Sequence, residues 1–437
     1  MKQVTAFGKI AILVLLFISV GTVQAADDFL ETENEWIKTF DNSDGAYSVQ
    51  QTSDGGYILT GSYMDDVWLG KTDSNGNMQW DNNFDVEYQS NDVAYSIQQT
   101  SDDGYILAGL ASKDAFLIKT DPNGTMQWSK TFFEEAGYDR ANSVQETSDG
   151  CYILTGSTES DNARKKAWIM KIDPSGNMLW DESFEVDEAY SVQQTSDGGY
   201  IAVGGPSHTR SSSSDILLIK IDPNGKKQWV KIFGGNGYDV AKSVQQTSDS
   251  GYILAGYTES YGTGSADVLL IKTDADGNKL WDVSFGGAGY DEAASVQQTS
   301  DNGYILAGGT QLYSDSYDIW LIKTDHNGNI QWDLAFGADD YDIARSVQQT
   351  SDGSYILAGS YVSYTNSYGS NDRDACLIKV NSNVKTIDAI DNIIINENGM
   401  SVRKEEFSSS GDDIPAFEVV FSIAGLLAVS YLLRKRE

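Results

Sequence analysis

One segment governs what this chain can fold into. "SVQQTSDGSYILAGS", Ser346–Ser360, returns in close copies starting at Ser48, Ser96, Ser143, Ser191, Ser243 and Ser295. A unit this small cannot bury its own apolar face, so copies must stack on one another. Each unit reads as four short strands. In the fifth copy they are "AKSVQQTSD", "YILAGYT", "DVLLIKTD" and "KLWDVSFGG". Val, Ile, Leu and Tyr fill the runs, while Asp, Asn and Gly stand between them at turn positions. The 42 Gly and 5 Pro of the chain suit short strands and tight turns rather than helices.

The fourth strand carries a Trp and, four residues on, a Phe. The pairs are Trp36/Phe40, Trp80/Phe84, Trp128/Phe132, Trp180/Phe184, Trp229/Phe233, Trp281/Phe285 and Trp332/Phe336. An even spacing puts both rings on one side of a strand, where a neighbouring sheet can bury them at roughly 1.5–3 kcal/mol each. Successive Trp residues lie 44 to 52 positions apart. Four strands in such a period is the pattern of a β-propeller blade.

The two ends say how the ring closes. The first repeat begins with a lone fourth strand, "EWIKTF", and the last stops after a third, "ACLIKV". Six third strands run into a glycine turn such as "TDSNGN" or "TDADGN", whereas the seventh gives "VNSNVK" without Gly. Three strands from the end and one from the start therefore complete the last blade, which removes exposed sheet edges. The expectation is an all-β fold, a seven-bladed β-propeller over residues 34–384. A solenoid of seven unclosed units is the alternative.

The repeat, for example "TSDGGYILTGS…WLGKTDSNGNMQW", resembles the delta-60 repeats of secreted surface proteins. It is also similar to quinoprotein-type repeats, although the turn is one residue shorter and lacks the Thr, so no quinone is implied. The fold hosts many activities, and the resemblance speaks to architecture.

Both termini point outside the cell. Lys2 and Lys9 precede the apolar run "IAILVLLFISV", and "VQA" offers a cleavage site after Ala25, so residues 1–25 read as a secretory signal peptide. A short segment, 26–33, follows. At the other end "FEVVFSIAGLLAVSYLL", Phe417–Leu433, is long enough for a C-terminal transmembrane helix and precedes Arg434, Lys435 and Arg436. The stretch "IPAFEVVFSIAGLLAVSYLLRKRE" resembles the PGF-CTERM sorting tail of archaeal surface proteins, with Pro415, Ala416 and Phe417 where the family has Pro-Gly-Phe. That resemblance implies an archaeal source with an S-layer type of envelope. It also implies an archaeosortase that exchanges the tail for a lipid anchor; unprocessed, the tail, 415–437, would stay as a membrane anchor. Residues 385–414 read as a linker or stalk. The formal charge of −34 argues against nucleic acid as a partner. Cys151 and Cys376 occupy unrelated repeat positions and are expected to be free thiols. A monomer is expected.

Loops after strands two and four share one face and vary in length. From the Gly of strand two to the Lys of strand three there are 10 residues in the first two repeats and 20 in the seventh. Variable loops on a fixed scaffold are where binding resides. The expected ligand-binding residues there are Tyr257, Tyr261, Tyr313, Tyr317, Tyr361, Tyr364 and Tyr368, whose flat rings and polar edges suit sugars or a protein surface; the alternative is that they pack between blades. Before each first strand stands Asp–x–Ala: Asp44, Asp92, Asp139, Asp187, Asp239, Asp291 and Asp342. These seven are expected to circle the channel as a collar for Ca²⁺ or another hard cation. The alternative, favoured by sevenfold identity, is a loop cap. The strand-three Lys, Lys71 through Lys379, is expected to pair locally with one of the turn aspartates, such as Asp54 or Asp274, and the two Gln of "SVQQT" to line the channel and link blades.

No Ser–His–Asp set, Cys/His metal set or phosphate-cradling loop is visible, and there are two histidines, His208 and His326. The expected role is thus non-enzymatic: a surface-anchored propeller that binds or scaffolds a cell envelope glycan, another envelope component or a surface protein. The alternatives are a purely structural envelope protein and a carboxylate-based glycan-active enzyme.

Overall fold

The computed structural model describes residues 35–382 apart from 42, 88–89, 133–136, 161–163, 185, 206–214, 313–315, 338–340 and 363–372, together with the backbone of 401–403. The strands are numbered β1 to β29 along the chain. Blade one is the antiparallel sheet β2 (Gly45–Gln51), β3 (Tyr57–Tyr63), β4 (Asp66–Thr72) and β5 (Met78–Phe84), and five further sheets follow in the same order. The seventh sheet joins β26 (Ile343–Gln349), β27 (Tyr355–Val362) and β28 (Arg373–Val380) to β1 (Trp36–Phe40). Trp36 pairs with Lys379 and Lys38 with Leu377, so the strand from the start of the chain closes the ring. The fold is the seven-bladed β-propeller expected from the repeat.

The middle strands of each sheet are buried on both faces and alternate between two clusters, one shared with each neighbouring blade. Ile106 and Ala108 join the cluster toward blade three, whereas Tyr105 and Leu107 join that toward blade one. The fourth-strand Trp of each blade meets the strand-two Tyr of the next, with all seven ring centroids 5.6–6.2 Å apart. Except for Trp332, it also lies against a turn glycine. Gly76 has φ +76°, and a Cβ there would stand 2.5 Å from the Trp36 ring. The turn Gly, present in six of the seven repeats, thus serves both the left-handed backbone and the close approach of the indole. Trp36 and Trp332 are buried, while the Trp of the other five blades are half-buried because the fourth strand lies at the rim.

Three repeated polar contacts lock the inner strands. The first Gln of each blade accepts the N–H one residue beyond its counterpart in the next blade: Gln99 N donates to Gln50 Oε1, and so on around to Gln51 N and Gln348 Oε1, at 2.5–2.7 Å in all seven. The Ser of "SVQQ" receives the following blade's Val or Ile N–H at 3.1–3.4 Å. The second Gln, or Glu146 in blade three, accepts the Ser N–H of the previous blade's turn at 2.7–2.8 Å. Replacing Gln245 by Ala orphans the Gln298 N–H at a part-buried site. The expected loss is about 1–3 kcal/mol, read as a lower denaturation midpoint at unchanged m-value; a midpoint equal to wild type would remove this account of interblade locking.

Each strand-three Lys pairs with the turn Asp of its own blade at 2.6–2.9 Å, as expected. In five blades its Nζ also donates to the carbonyl of the next residue. Those five have Gly after the turn. Blades three and seven have Cys151 and Ser354 there, and a Cβ at the equivalent Gly251 would stand 2.2 Å from the Thr273 oxygen and 2.5 Å from Lys272 Nζ. The extra atom displaces the ammonium, and Lys171 lies 5.8 Å from the Tyr200 ring centre. Cys151 and Cys376 are both free.

Within the stretch expected to be a linker, Ser401–Arg403 forms β29 and pairs antiparallel with Ala335–Gly337 of β25 (Ile330–Gly337), which widens the sixth sheet to five strands. The signal segment, the rest of the linker and the expected membrane helix lie outside the described residues. No helix of the described residues is long and apolar enough to cross a membrane.

Candidate functional site at the channel mouth

The channel is lined by the Val or Ile and the first Gln of all seven inner strands, enclosing about 240 Å³. One step toward the variable face, every inner strand has a bulge. In β2 the register shifts between Ala46 and Ser48, releasing Tyr47 from the ladder, and the same shift recurs in the other six blades. A bulge re-aims the extra residue. The seven released residues are Tyr47, Tyr95, Asn142, Tyr190, Lys242, Ala294 and Arg345, all half-buried.

These side chains and their neighbours two positions earlier make a run of contacts from blade seven through blade four and a second group around Lys242. The Arg345 guanidinium lies 4.5 Å from the centre of the Tyr47 ring. Tyr47 meets Tyr95 edge to face at 5.3 Å. Arg140 lies 5.6 Å from the Tyr95 centre and bonds Glu188 at 3.2 Å. Asn142 donates to the same carboxylate at 3.0 Å. Lys242 pairs with Glu292 and lies 5.6 Å from the Tyr257 centre. The Tyr190 phenol is pushed well above its ordinary pKa, by burial first and then by the Glu188 charge. Arg345 differs from the other two cations. No carboxylate among the described residues pairs with it, and its buried Nε has no hydrogen-bond partner.

The structure places the tyrosines expected to bind ligand in several settings. Tyr257 and Tyr317 are buried, in a ladder in which Tyr257 meets Tyr290, Tyr290 meets Tyr317, and Tyr317 stacks on Tyr341 at 4.7 Å. Their faces are covered by one another, which answers to packing rather than to an open platform. Tyr261 is 42% exposed and donates its hydroxyl to the Gly234 carbonyl. Tyr361 is half-buried against the core between blades six and seven. Tyr313, Tyr364 and Tyr368 lie outside the described residues.

The aspartates form no open collar. Asp92, Asp139, Asp239, Asp291 and Asp342 are buried, Asp187 is half-buried and Asp44 is exposed. Asp239 accepts from Gly235 N at 2.8 Å, from Ser260 Oγ at 2.6 Å and from Thr258 Oγ1. Asp291 accepts from Gly287 N at 2.9 Å, Gln311 N at 3.1 Å and Thr310 Oγ1. Each joins the loop entering its blade to the loop after strand two, which is the capping arrangement. Burial, then the nearby Asp239 charge, raises the pKa of Asp215; burial first, and then the Asp291 charge, raises that of Asp267 against a backbone hydrogen bond from Thr263. Among the described residues no three Asp, Glu, His or Cys side chains gather as a metal set.

The mouth went unread in the sequence although its signal was there. Within the inner strand, only the two positions flanking the invariant Ala vary strongly between copies: Gly45, Val93, Arg140, Glu188, Val240, Glu292, Ile343, and the seven bulge residues. Asymmetry confined to two positions of a uniform repeat marks the place where blades do different work.

Fold and ring define the class: a closed seven-bladed β-propeller with an asymmetric polar and aromatic mouth on one face. Its fold is similar to the WD40 domain of Neurospora crassa Pan2, with TM-score 0.51 and 12% identity over 80% of this chain and 97% of that one. Sqt1 of Chaetomium thermophilum gives TM-score 0.47 and 13% identity over 75% and 83%. At such identities the likeness is one of fold alone. No curated protein sequence matches the chain. Residues 417–436 match the PGF-CTERM motif. The chain is therefore an exported, archaeosortase-sorted protein of the cell surface, anchored to the membrane through its C-terminal tail.

Proposed function

We propose that this surface-anchored propeller is a non-enzymatic binding module and that its ligand, a glycan of the envelope or a partner displayed there, seats on the channel mouth. The observation that supports this reading is the ring of Tyr47, Tyr95, Arg140, Asn142, Tyr190, Lys242 and Arg345. Blades that are otherwise near-copies differ there, and a purely structural ring has no need of such asymmetry. Tyrosine presents flat contact area at low entropic cost, and the amide and cations supply oriented donors. The buried aspartates and the tyrosine ladder then serve to hold the loops around the mouth.

The test is binding of labelled envelope polysaccharide fragments to the purified full chain. Tyr95→Ala is expected to weaken binding about tenfold, the loss of one aromatic platform of roughly 1–2 kcal/mol. Met64→Ala, on an exposed turn of blade one, is expected to leave it unchanged. Equal affinity for wild type and Tyr95→Ala would move the site off the mouth, and no binding to any envelope fraction would leave a wall component.

A further inference from the structure

We infer that the mouth and channel are built for the oxyanion of an acidic sugar, a uronate carboxylate or a sulfate ester; this rests on the binding reading above and specifies its ligand. Two independent features point the same way.

The first is the ring of primary amides inside the channel. Every first Gln gives its Oε1 to a backbone N–H of the next blade. A backbone N–H can only donate, so the amide orientation is fixed and the NH₂ group takes the remaining direction. Among the described residues no protein acceptor engages the NH₂ of Gln50, Gln98, Gln145, Gln193, Gln245, Gln297 or Gln348. All seven side chains line the cavity. The channel thus offers a belt of hydrogen-bond donors, with no carboxylate among its lining residues. An oxyanion fits such a belt, whereas a cation would find the amide oxygens already engaged.

The second is Arg345. In a chain of net charge −34, Arg140 and Lys242 at the mouth are each matched by a glutamate, yet Arg345 is not. Its Nε is buried and without a partner, so the protein itself does not compensate the charge of this guanidinium. The guanidinium fork donates to two oxygens of a carboxylate or sulfate at once. The ring of Tyr47, over which it lies at 4.5 Å, offers the flat face of a sugar site beside the charge.

Calorimetry on the full chain in detergent tests this with four defined probes: oligogalacturonate, its methyl ester, a sulfated glucan oligosaccharide and the unsulfated glucan. The expected result is that at least one acidic probe binds about tenfold or more tighter than its neutral counterpart, with affinity falling as salt rises. The tighter of the two acidic probes identifies the oxyanion. Arg345→Gln is expected to cut that affinity about tenfold, and Arg345→Lys to recover only part of it, since charge returns without the fork. Gln245→Glu, which places a carboxylate in the amide belt, is expected to weaken the acidic probe and to spare a neutral one. Unchanged thermal midpoints qualify each variant as folded; should Arg345→Gln fail this, the acid-versus-neutral comparison on wild type decides alone. Neutral probes that bind as well as acidic ones, or an affinity indifferent to both Arg345→Gln and Gln245→Glu, would overturn the oxyanion inference and leave the binding module standing. Silence from all four probes, with envelope fragments still bound, would overturn it too. Silence from the fragments as well would remove both.

Discussion

Deleting residues 36–40 from the full chain is expected to open the ring and abolish cooperative unfolding at ordinary temperature. The segment is five residues, but it supplies the whole outer strand of blade seven. Its loss unpairs the register from Trp36–Lys379 to Phe40–Ala375 and exposes the edge of β28. It also removes Trp36, only 9% exposed and 6.0 Å from Tyr57 of blade one, and Phe40, 5.9 Å from the buried Trp68. Trp→Ala in a core costs about 3–5 kcal/mol, and here two rings and a strand go together, against a total stability of roughly 5–15 kcal/mol for a domain. The single change Trp36→Ala is expected to cost about 3 kcal/mol, at the lower end because the rim is near solvent. Calorimetric unfolding reads both. A deletion variant with one sharp transition at the wild-type temperature would show that the ring does not depend on its closing strand.

Acid is expected to unfold the protein between about pH 4 and pH 2, through the seven Lys–Asp pairs. Burial alone would raise the carboxyl of Asp54, but the Thr52 hydroxyl, Lys71 and the Gly56 N–H together lower it from 3.8 to about 2. Asp197 reaches about 2 by the same balance, and Asp102, Asp149, Asp249, Asp301 and Asp352 are lowered likewise. A carboxylate whose folded pKa lies below its unfolded one stabilises the fold above the unfolded value, and that contribution is lost as pH falls through the folded value. Each Asp is about half-exposed, so screening makes each pair modest; sevenfold repetition makes the sum large. Asp139 acts in the opposite sense. Burial first, and then Asp114, hold it at about 6 against the Thr158 hydrogen bond, so its ionised form opposes folding above that pH and the opposition fades as pH falls toward 4. Thermal midpoints are therefore expected to hold or rise slightly from pH 7 to 5 and then drop steeply. Asp301→Ala leaves the Lys323 ammonium, 3% exposed, with its carbonyl and Gln331 contacts alone. The expected cost is on the order of 2 kcal/mol at pH 7, below that of a fully buried pair, and it should shrink at pH 2. A midpoint flat down to pH 2 would sink this account.

The ring, its seven blades and its closing strand were legible in the sequence for one reason. Every local choice is repeated seven times, so a pattern that could be chance in one copy becomes a constraint: the Trp with its Phe, the Asp–Asn–Gly turns, the missing first three strands and the missing last one. The Lys–Asp pairs and the glutamine links were legible for the same reason. The tail was legible because an apolar run followed by basic residues has few readings.

What the sequence determined is the unit and the number of units, because strand period, turn chemistry and repeat count are local properties of the chain. What only the tertiary structure decided is where those units turn their side chains. Tyr257 stands near the end of the second strand of its blade and Tyr317 just before the third, yet both are buried, because their rings and Tyr290 press together between adjacent blades. Five of the seven aspartates are buried rather than displayed, and Asp239 and Asp291 each reach donors supplied by the loop after strand two. Tyr47, Tyr95 and Arg345, residues 47, 95 and 345 of the chain, touch in sequence around one mouth because closure brings blade seven beside blade one and a bulge releases the same position in each. Such contacts depend on distances between strands far apart in sequence, which no local pattern encodes.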